Sequence, residues 1–459
     1  MNHVKLWLFG ALFVVSGLAC NGVTSQPVIQ TPDSSAVKVL LFKRGVNVSS
    51  WLAPFWLQPY KLEGVTLEEL QRLKSTGIDH IRLLVEPVSF MGTDGAFGVP
   101  SGGQDYTKLF DAALERVRQS GLNVIVDLHP DDEYPGRKGE TFKNVILCGG
   151  EPLERYKRFV GSMALKLKDK FSFAALELLN EPHNPTDDGG QACTGGFDWQ
   201  PIGAALYNAA RAVAPKLTLV VTKDGWSGIN QIDTLKVLPN AQNPDPLLVY
   251  TVHYYGTLEF THQGAGWVEL PVYKFINNIP YPSTNSSLEK AWVGIQKDLA
   301  DSPKLTAADR DPNLTDSVAS KIRTNLGCYF GTPLPNTGLD WCAGRPFDEA
   351  YQKRYLADVT AWAIKNKVPP ANILLGEFGV QGHFYDTNDE YRPDKQYPGA
   401  PADSRARWIS DIRKDSEEIG IGWSFFLYRG GGFSMTLDHD GDKRDLDPAV
   451  VSALGLKMP

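Results

Sequence analysis

From residue 40 onward the chain alternates short apolar runs with longer amphipathic ones, and this limits its possible folds more than any other feature. Strand-like runs fall at Lys43–Val48, Ile78–Val85, Leu122–Leu128, Ala174–Leu179, Leu217–Thr222, Leu247–His253, Ile373–Glu377 and Ile421–Phe426. Helical spacing covers Thr66–Ser75, Asp105–Ser120, Pro152–Lys170, Ile202–Ala214, Asp348–Lys367 and Ser404–Glu418. A weak fifth helix is expected near Gln231–Val237 and a short last one near Pro448–Leu454. Several helices end at a Gly just before a new strand, as in RQSGLNVIV and SEEIGIGWSF. Strands alternating with helices predict a parallel sheet, either doubly wound or closed.

The polar residues decide between the two. A doubly wound sheet gathers its site at one switch point and usually carries a Gly-rich phosphate loop, and no such loop follows a strand here. A closed barrel spreads its site over the carboxyl ends of many strands. The strand ends carry Arg82, His129, Asn180 with Glu181, His253 with Tyr255, Glu377 and Trp423. The expectation is an α/β fold, a (β/α)8 TIM barrel over residues 37–459. One connection breaks the pattern: residues 256–347, after the sixth strand, exceed any ordinary loop. They hold Trp267, Trp292, Trp341, Cys328 and Cys342, and predict an inserted subdomain beside the site.

Residues 1–20, MNHVKLWLFGALFVVSGLAC, read as an export signal: Lys5, an apolar run from Leu6 to Ala19, then Cys20. The run is short for a membrane span. Cys20 resembles the lipidated cysteine of bacterial lipoproteins, although Gly17 stands where such sequences usually carry Leu. Lipidation at Cys20 and plain cleavage both stay open. The expected location is periplasmic, outer-membrane-anchored or extracellular, with membrane contact only through such a lipid. Residues 21–36, rich in Ser, Thr and Pro, read as a linker.

Beyond Cys20, four cysteines remain, an even number that suggests two disulfides in an exported protein. Of the three possible pairings, Cys148–Cys193 and Cys328–Cys342 are favoured because each closes a local loop. The formal net charge of −7 argues against nucleic acid as a partner. No His-x-His pair occurs, which argues against a metal-dependent hydrolase, and no cofactor is expected.

The sharpest chemical feature is a pair of glutamates at strand ends. AALELLNEPHN ends its apolar run at Asn180-Glu181-Pro182, and ILLGEFGV places Glu377 at the end of the seventh strand. A buried carboxylate costs desolvation unless something uses it. Two carboxylates facing across a barrel mouth can cleave a glycosidic bond, one as acid and the other as nucleophile or water activator. Pro182 is expected to keep the Glu181 backbone extended and so aim its side chain.

LNEP, GEFG, HYY after the sixth strand and DLHP ending the third resemble glycoside hydrolase family five, a retaining group of clan A with cellulase-like members. The resemblance covers roughly Lys43 to Leu456. It implies Glu181 as acid/base, Glu377 as nucleophile and Asn180 on the sugar 2-hydroxyl. It places Arg82 and Tyr255 beside Glu377, His129 and His253 along the cleft, and Trp423 as a stacking floor. The implied activity is a cellulase-like endo-β-1,4-glucanase acting by double displacement on a β-linked polysaccharide or oligosaccharide. A β-mannanase, a β-1,3-glucan hydrolase or exo-glucosidase, and a non-catalytic carbohydrate-binding barrel are the alternatives. His183, in NEPH, resembles cellulose-type members. Trp51, Trp56, Trp226 and Trp267 are candidate outer sugar platforms, and RGGGFS, 429–434, a candidate flexible rim.

Overall fold

A computed structural model describes residues 37–53, 64–100, 103–135, 137–265, 276–283, 287, 293, 347–382, 384–385, 396–397, 399–437 and 445–459. The expected signal, the linker, Cys20, Cys328, Cys342, Trp56, Trp267 and most of the insertion lie outside the described residues.

Eight strands close on themselves: β1 (Arg44–Leu52), β2 (His80–Val85), β3 (Asn123–Leu128), β4 (Ala174–Glu177), β5 (Thr218–Val221), β6 (Leu248–Tyr254), β7 (Ile373–Phe378) and β8 (Gly422–Phe425). Each pairs in parallel with its neighbours in sequence, and β8 pairs with β1 to complete the barrel. The register runs through Arg82↔Ile125, Val126↔Leu176, Leu176↔Leu219 and Val252↔Leu375. The fold is therefore the expected (β/α)8 barrel.

Alternation along each strand separates two cores. Ile125, Ala175, Val220, Val249 and Leu374 point inward and pack with Phe42 to plug the amino-terminal half of the barrel. Their neighbours Val124, Val126, Leu176, Leu219, Leu248 and Leu375 point outward, against the helices. Among the described residues, the carboxyl-terminal half has no such plug. There, inward positions are Arg82, Asp127, Glu177 and Thr251, all buried.

The helices follow from apolar spacing and their caps. α1 (Leu67–Thr76) starts in a capping box, Thr66 with Glu69, and ends at Gly77 with φ 107°, a conformation glycine adopts without strain. α2 (Thr107–Ser120), α3 (Phe142–Leu147), α4 (Gly150–Leu167), α5 (Trp199–Val213), α6 (Leu258–Thr261), α7 (Glu349–Asn366), α8 (Ala402–Glu418) and α9 (Pro448–Ala453) follow in order. In α4, Tyr156, Phe159, Val160, Met163, Ala164 and Leu167 form one buried stripe. Burying each of its larger apolar side chains contributes roughly 1.5–3 kcal/mol. The weak fifth helix is a 3-10 segment, Ile229–Thr234.

Of the insertion, 256–265, 276–283, 287, 293 and 347 are described. Phe260, Tyr281 and Phe347 pack ring on ring in the main core, and the Tyr281 hydroxyl donates to Asp411 of α8 at 3.0 Å. A disulfide joins Cys148 to Cys193, one of the two expected pairings.

Candidate active site

The site grows from one buried cation. Arg82 is 0% exposed on β2, and an unpaired guanidinium there would be prohibitively costly. Its Nε and Nη2 donate to the two carboxylate oxygens of Glu177 at 2.7 and 2.8 Å, a bidentate pair. Nη2 also reaches Asp127 Oδ2 at 3.2 Å and donates to Asn180 Oδ1 at 2.8 Å. Nη1 donates to Asn47 Oδ1 at 2.9 Å and to Glu377 Oε1 at 2.6 Å. One guanidinium thus ties together β1, β2, β3, β4 and β7.

Glu377 is held at both oxygens, because the Tyr255 hydroxyl donates to Oε2 at 3.0 Å. Its neighbour Gly376 is required for packing: a Cβ there would run into Thr251 Oγ1 and the His253 ring. His253, on β6, lies between the two glutamates. Its Nδ1 is 2.7 Å from Glu181 Oε1 and 3.7 Å from Glu377 Oε2. One oxygen of each glutamate and the imidazole nitrogen all lie within 4.8 Å of one another. Residues 181 and 377, distant in sequence, therefore meet across the barrel mouth.

Glu181 carries a backbone conformation that the sequence reading did not anticipate. Its φ is +47°, in the left-handed region, rather than the extended geometry expected from Pro182. For a non-glycine residue this costs on the order of 1–3 kcal/mol and persists only where neighbours enforce it. Here Asn180 N–H donates to Leu128 O, His183 Nδ1 sits 2.9 Å from Glu181 O, and Trp226 N–H donates to Pro182 O. The strained turn throws the Glu181 side chain toward His253 while Asn180 stays against Arg82.

Burial would push the Glu181 carboxyl up, but the His253 hydrogen bond and the charges of His253, Lys143 and His129 bring it below the usual range. Burial would lower His253, and Glu377 with Glu181 more than reverse this. His129 donates or accepts at both nitrogens: Nδ1 lies 2.8 Å from Asp127 Oδ2, and Nε2 lies 3.1 Å from Asn180 Nδ2. Arg82, His129, Asn180, Glu181, His253, Tyr255 and Glu377 are thus brought into one constellation.

Trp423 is not part of it, and the stacking-floor expectation is corrected. Its side chain points outward from β8, is 0% exposed, packs edge-on against Phe378, and donates Nε1–H to Glu417 of α8 at 3.2 Å. Period-two alternation explains the miss, since inward-facing Ser424 is its immediate neighbour. The aromatic ring that does reach the mouth is Phe426, half-buried, set edge-on to Tyr255 at 6.4 Å and against Phe433. Trp51 is likewise core, not platform. Trp226 is 41% exposed and stacks on His183 with ring centroids 4.9 Å apart. The 429–434 stretch is anchored, because buried Arg429 pairs with Glu69 at 3.3 Å and donates to Gly64 O at 2.8 Å. Asn47, Asp127 and Glu177 were also missed by sequence reasoning. Inward periodicity on β1, β3 and β4 is the signal that would have found them.

Known proteins resemble the chain as follows. The family model Cellulase (glycosyl hydrolase family 5) matches residues 39–428. Endoglucanase C of Acetivibrio thermocellus is 26% identical over 256 residues, 54% of this chain and 67% of that protein. Endoglucanase 3 of Fibrobacter succinogenes is 23% identical over 400 residues, 85% of this chain and 50% of that protein. The solved structure of Thermotoga maritima Cel5A in complex with cellobiose aligns with a TM-score of 0.54 at 19% identity, covering 90% of this chain and 97% of its own. At that identity the structural likeness speaks for the fold.

Proposed function

The chain belongs to glycosyl hydrolase family 5 and is a glycoside hydrolase; from that premise we propose that it cleaves β-1,4-linked glucan internally, by double displacement, with Glu377 and Glu181. The observation that carries this reading is the approach of one oxygen of Glu181 to one of Glu377 within 4.8 Å, around His253. Retaining enzymes separate theirs by about 5–5.5 Å, whereas inverting enzymes need about 6.5–9.5 Å to fit a water.

Glu377 attacks the anomeric carbon, with Arg82 and Tyr255 fixing its two oxygens. The departing oxygen takes the proton held in the Glu181–His253 hydrogen bond. A glycosyl ester forms on Glu377 and consumes its charge. Glu181 then accepts a proton from water, which attacks the ester and releases a sugar of unchanged anomeric configuration. Asn180, oriented by Arg82 at its oxygen, presents its amide N–H toward the sugar 2-hydroxyl.

The test is to incubate the purified protein with cellulose derivatives, β-glucans, xyloglucan and mannans, size the products, and follow the anomeric signal by NMR. Internal cleavage of β-1,4-glucan with initial retention is expected. Inverted product, or cleavage confined to mannan or β-1,3-glucan, would replace this reading. Trp226→Ala is expected to raise KM on a soluble glucan about 5–10-fold with kcat nearly unchanged, the pattern of lost uniform binding. An unchanged KM would remove Trp226 from the sugar path. Export, on the strength of residues 1–20, completes the proposal; the mass of the mature amino terminus separates lipidated Cys20 from plain cleavage.

A further inference from the structure

Beside Glu181 lies a charged cluster that the chemistry above leaves unused. Lys143 of α3 is only 6% exposed, and burying an ammonium is costly unless it is paired. Its Nζ lies 3.3 Å from Asp131 Oδ1. Asp131 Oδ2 lies 3.0 Å from His129 Nε2, the same nitrogen that faces Asn180 Nδ2 at 3.1 Å. The contacts therefore run unbroken from Lys143 to the residue preceding Glu181. The helix that bears Lys143 is held in place at both ends. Thr141 caps its start, and Cys148 at its end is bonded to Cys193 in the segment that follows Glu181. That segment lies close against α3, because a side chain at Gly190 would strike Asn144.

We propose that the Lys143–Asp131 ion pair is a positioning device for the Glu181 end of the site: through Asp131, His129 and Asn180 it steadies the turn that carries Glu181, and its ammonium charge sets the upper pH limit of catalysis. The proposal rests on the acid/base reading of Glu181 given above.

Several elements contribute charge here. Glu181 faces His253 from β6, Glu377 from β7 across the same imidazole, His129 and Asp131 from the segment after β3, and Lys143 from α3. Beneath them lie Arg82, Asp127 and Glu177. The charges of Asp131, Asp127 and Glu181 all act on the Lys143 ammonium. Glu86, at the end of β2, accepts the backbone N–H groups of Asp131 and Asp132, and burial pushes its carboxyl up to about 8. Burial pulls Lys143 down, while Asp131 and Glu181 more than restore it. Burial also opposes charge on His129, yet Asp131 and Asp127 hold it well above the ordinary imidazole range. The Lys143 ammonium is therefore present at neutral pH.

The sign of the effect is fixed. Removing a cation near a carboxylate raises its proton affinity, and the stranded Asp131 charge acts in the same direction. A general acid works while protonated, so the limb where activity falls with rising pH moves upward. His253 and Glu181 share one proton, so this limb belongs to the pair.

The experiment compares kcat/KM against pH for the parent, Lys143→Met and Lys143→Arg, on the soluble glucan the parent hydrolyses best. Lys143→Met is expected to shift the alkaline limb up by on the order of one pH unit, and Lys143→Arg to restore it. Glu181→Ala, assayed with and without azide, reports separately on Glu181. If Glu181→Ala keeps the parental rate, the acid/base reading fails. If Glu181→Ala is impaired and the Lys143→Met limb coincides with the parent's, this proposal alone fails. Lys143→Gln replaces the Met variant should the latter not fold. If neither uncharged variant folds while Lys143→Arg does, the pair is a structural brace and the proposal is overturned.

Discussion

Glu377→Gln is expected to lower kcat by at least about 10⁴-fold on any glucan the parent hydrolyses, with an unchanged circular dichroism spectrum and a melting temperature close to the parent's. The amide is nearly isosteric and keeps an oxygen for Arg82 Nη1, which donates to Glu377 Oε1 at 2.6 Å, and for Tyr255 on the other side only at the cost of one contact. It cannot form the glycosyl ester. Glu181→Gln should cost about 10²–10⁴-fold on polysaccharide, the span usual for a positioned proton donor. Its deficit should shrink on a dinitrophenyl glycoside, whose leaving group departs without a proton. The contrast matters more than either loss, because only the acid/base variant should depend on the leaving group. Steady-state rates on both substrate types check it. A Glu377→Gln variant working at near-parental rate, or equal leaving-group sensitivity in both, would remove the assigned roles.

How much of this site was readable beforehand depends on what each residue needed. The barrel was legible because eight short apolar runs alternate with helical ones, and the observed strands fall within a few residues of the expected ones. Glu181 and Glu377 were legible because a carboxylate ending an apolar strand is a local anomaly. Trp423 was misplaced by one step of alternation: it follows Gly422, whose missing side chain makes room for Phe42 O, and nothing in GIGWSFF states which face is inward. The φ of +47° at Glu181 was hidden because contacts from Leu128, His183 and Trp226 impose it against the local preference. Lys143 was hidden for a similar reason. FKNVIL carries no chemical signal of its own, and only the packing of α3 beside the β4 mouth turns its lysine inward.

Arg82→Met should be the most damaging substitution for stability. It leaves Asp127, Glu177 and Glu377 without their shared cation in a part of the barrel that solvent barely reaches. Breaking a buried pair by deleting one partner costs about 3–5 kcal/mol, a large fraction of the roughly 5–15 kcal/mol that holds a domain together. Burial already lifts the Glu177 carboxyl above its usual range with Arg82 present, since the guanidinium only partly offsets burial and the Asp127 charge. Without Arg82 it rises further. A carboxyl whose folded pKa exceeds its unfolded one binds a proton more tightly in the native state. The native state therefore loses stability as pH rises from the unfolded value through the folded one. The melting temperature of Arg82→Met should lie further below the parent's at about pH 8 than at about pH 5. Arg82→Lys should recover less than half of the loss, because a single ammonium cannot span Glu177, Asn180 and Glu377 together. Thermal melts of the three proteins across that range decide the matter. A gap to the parent that does not change with pH would mean that lost packing, rather than stranded charge, is what the substitution costs.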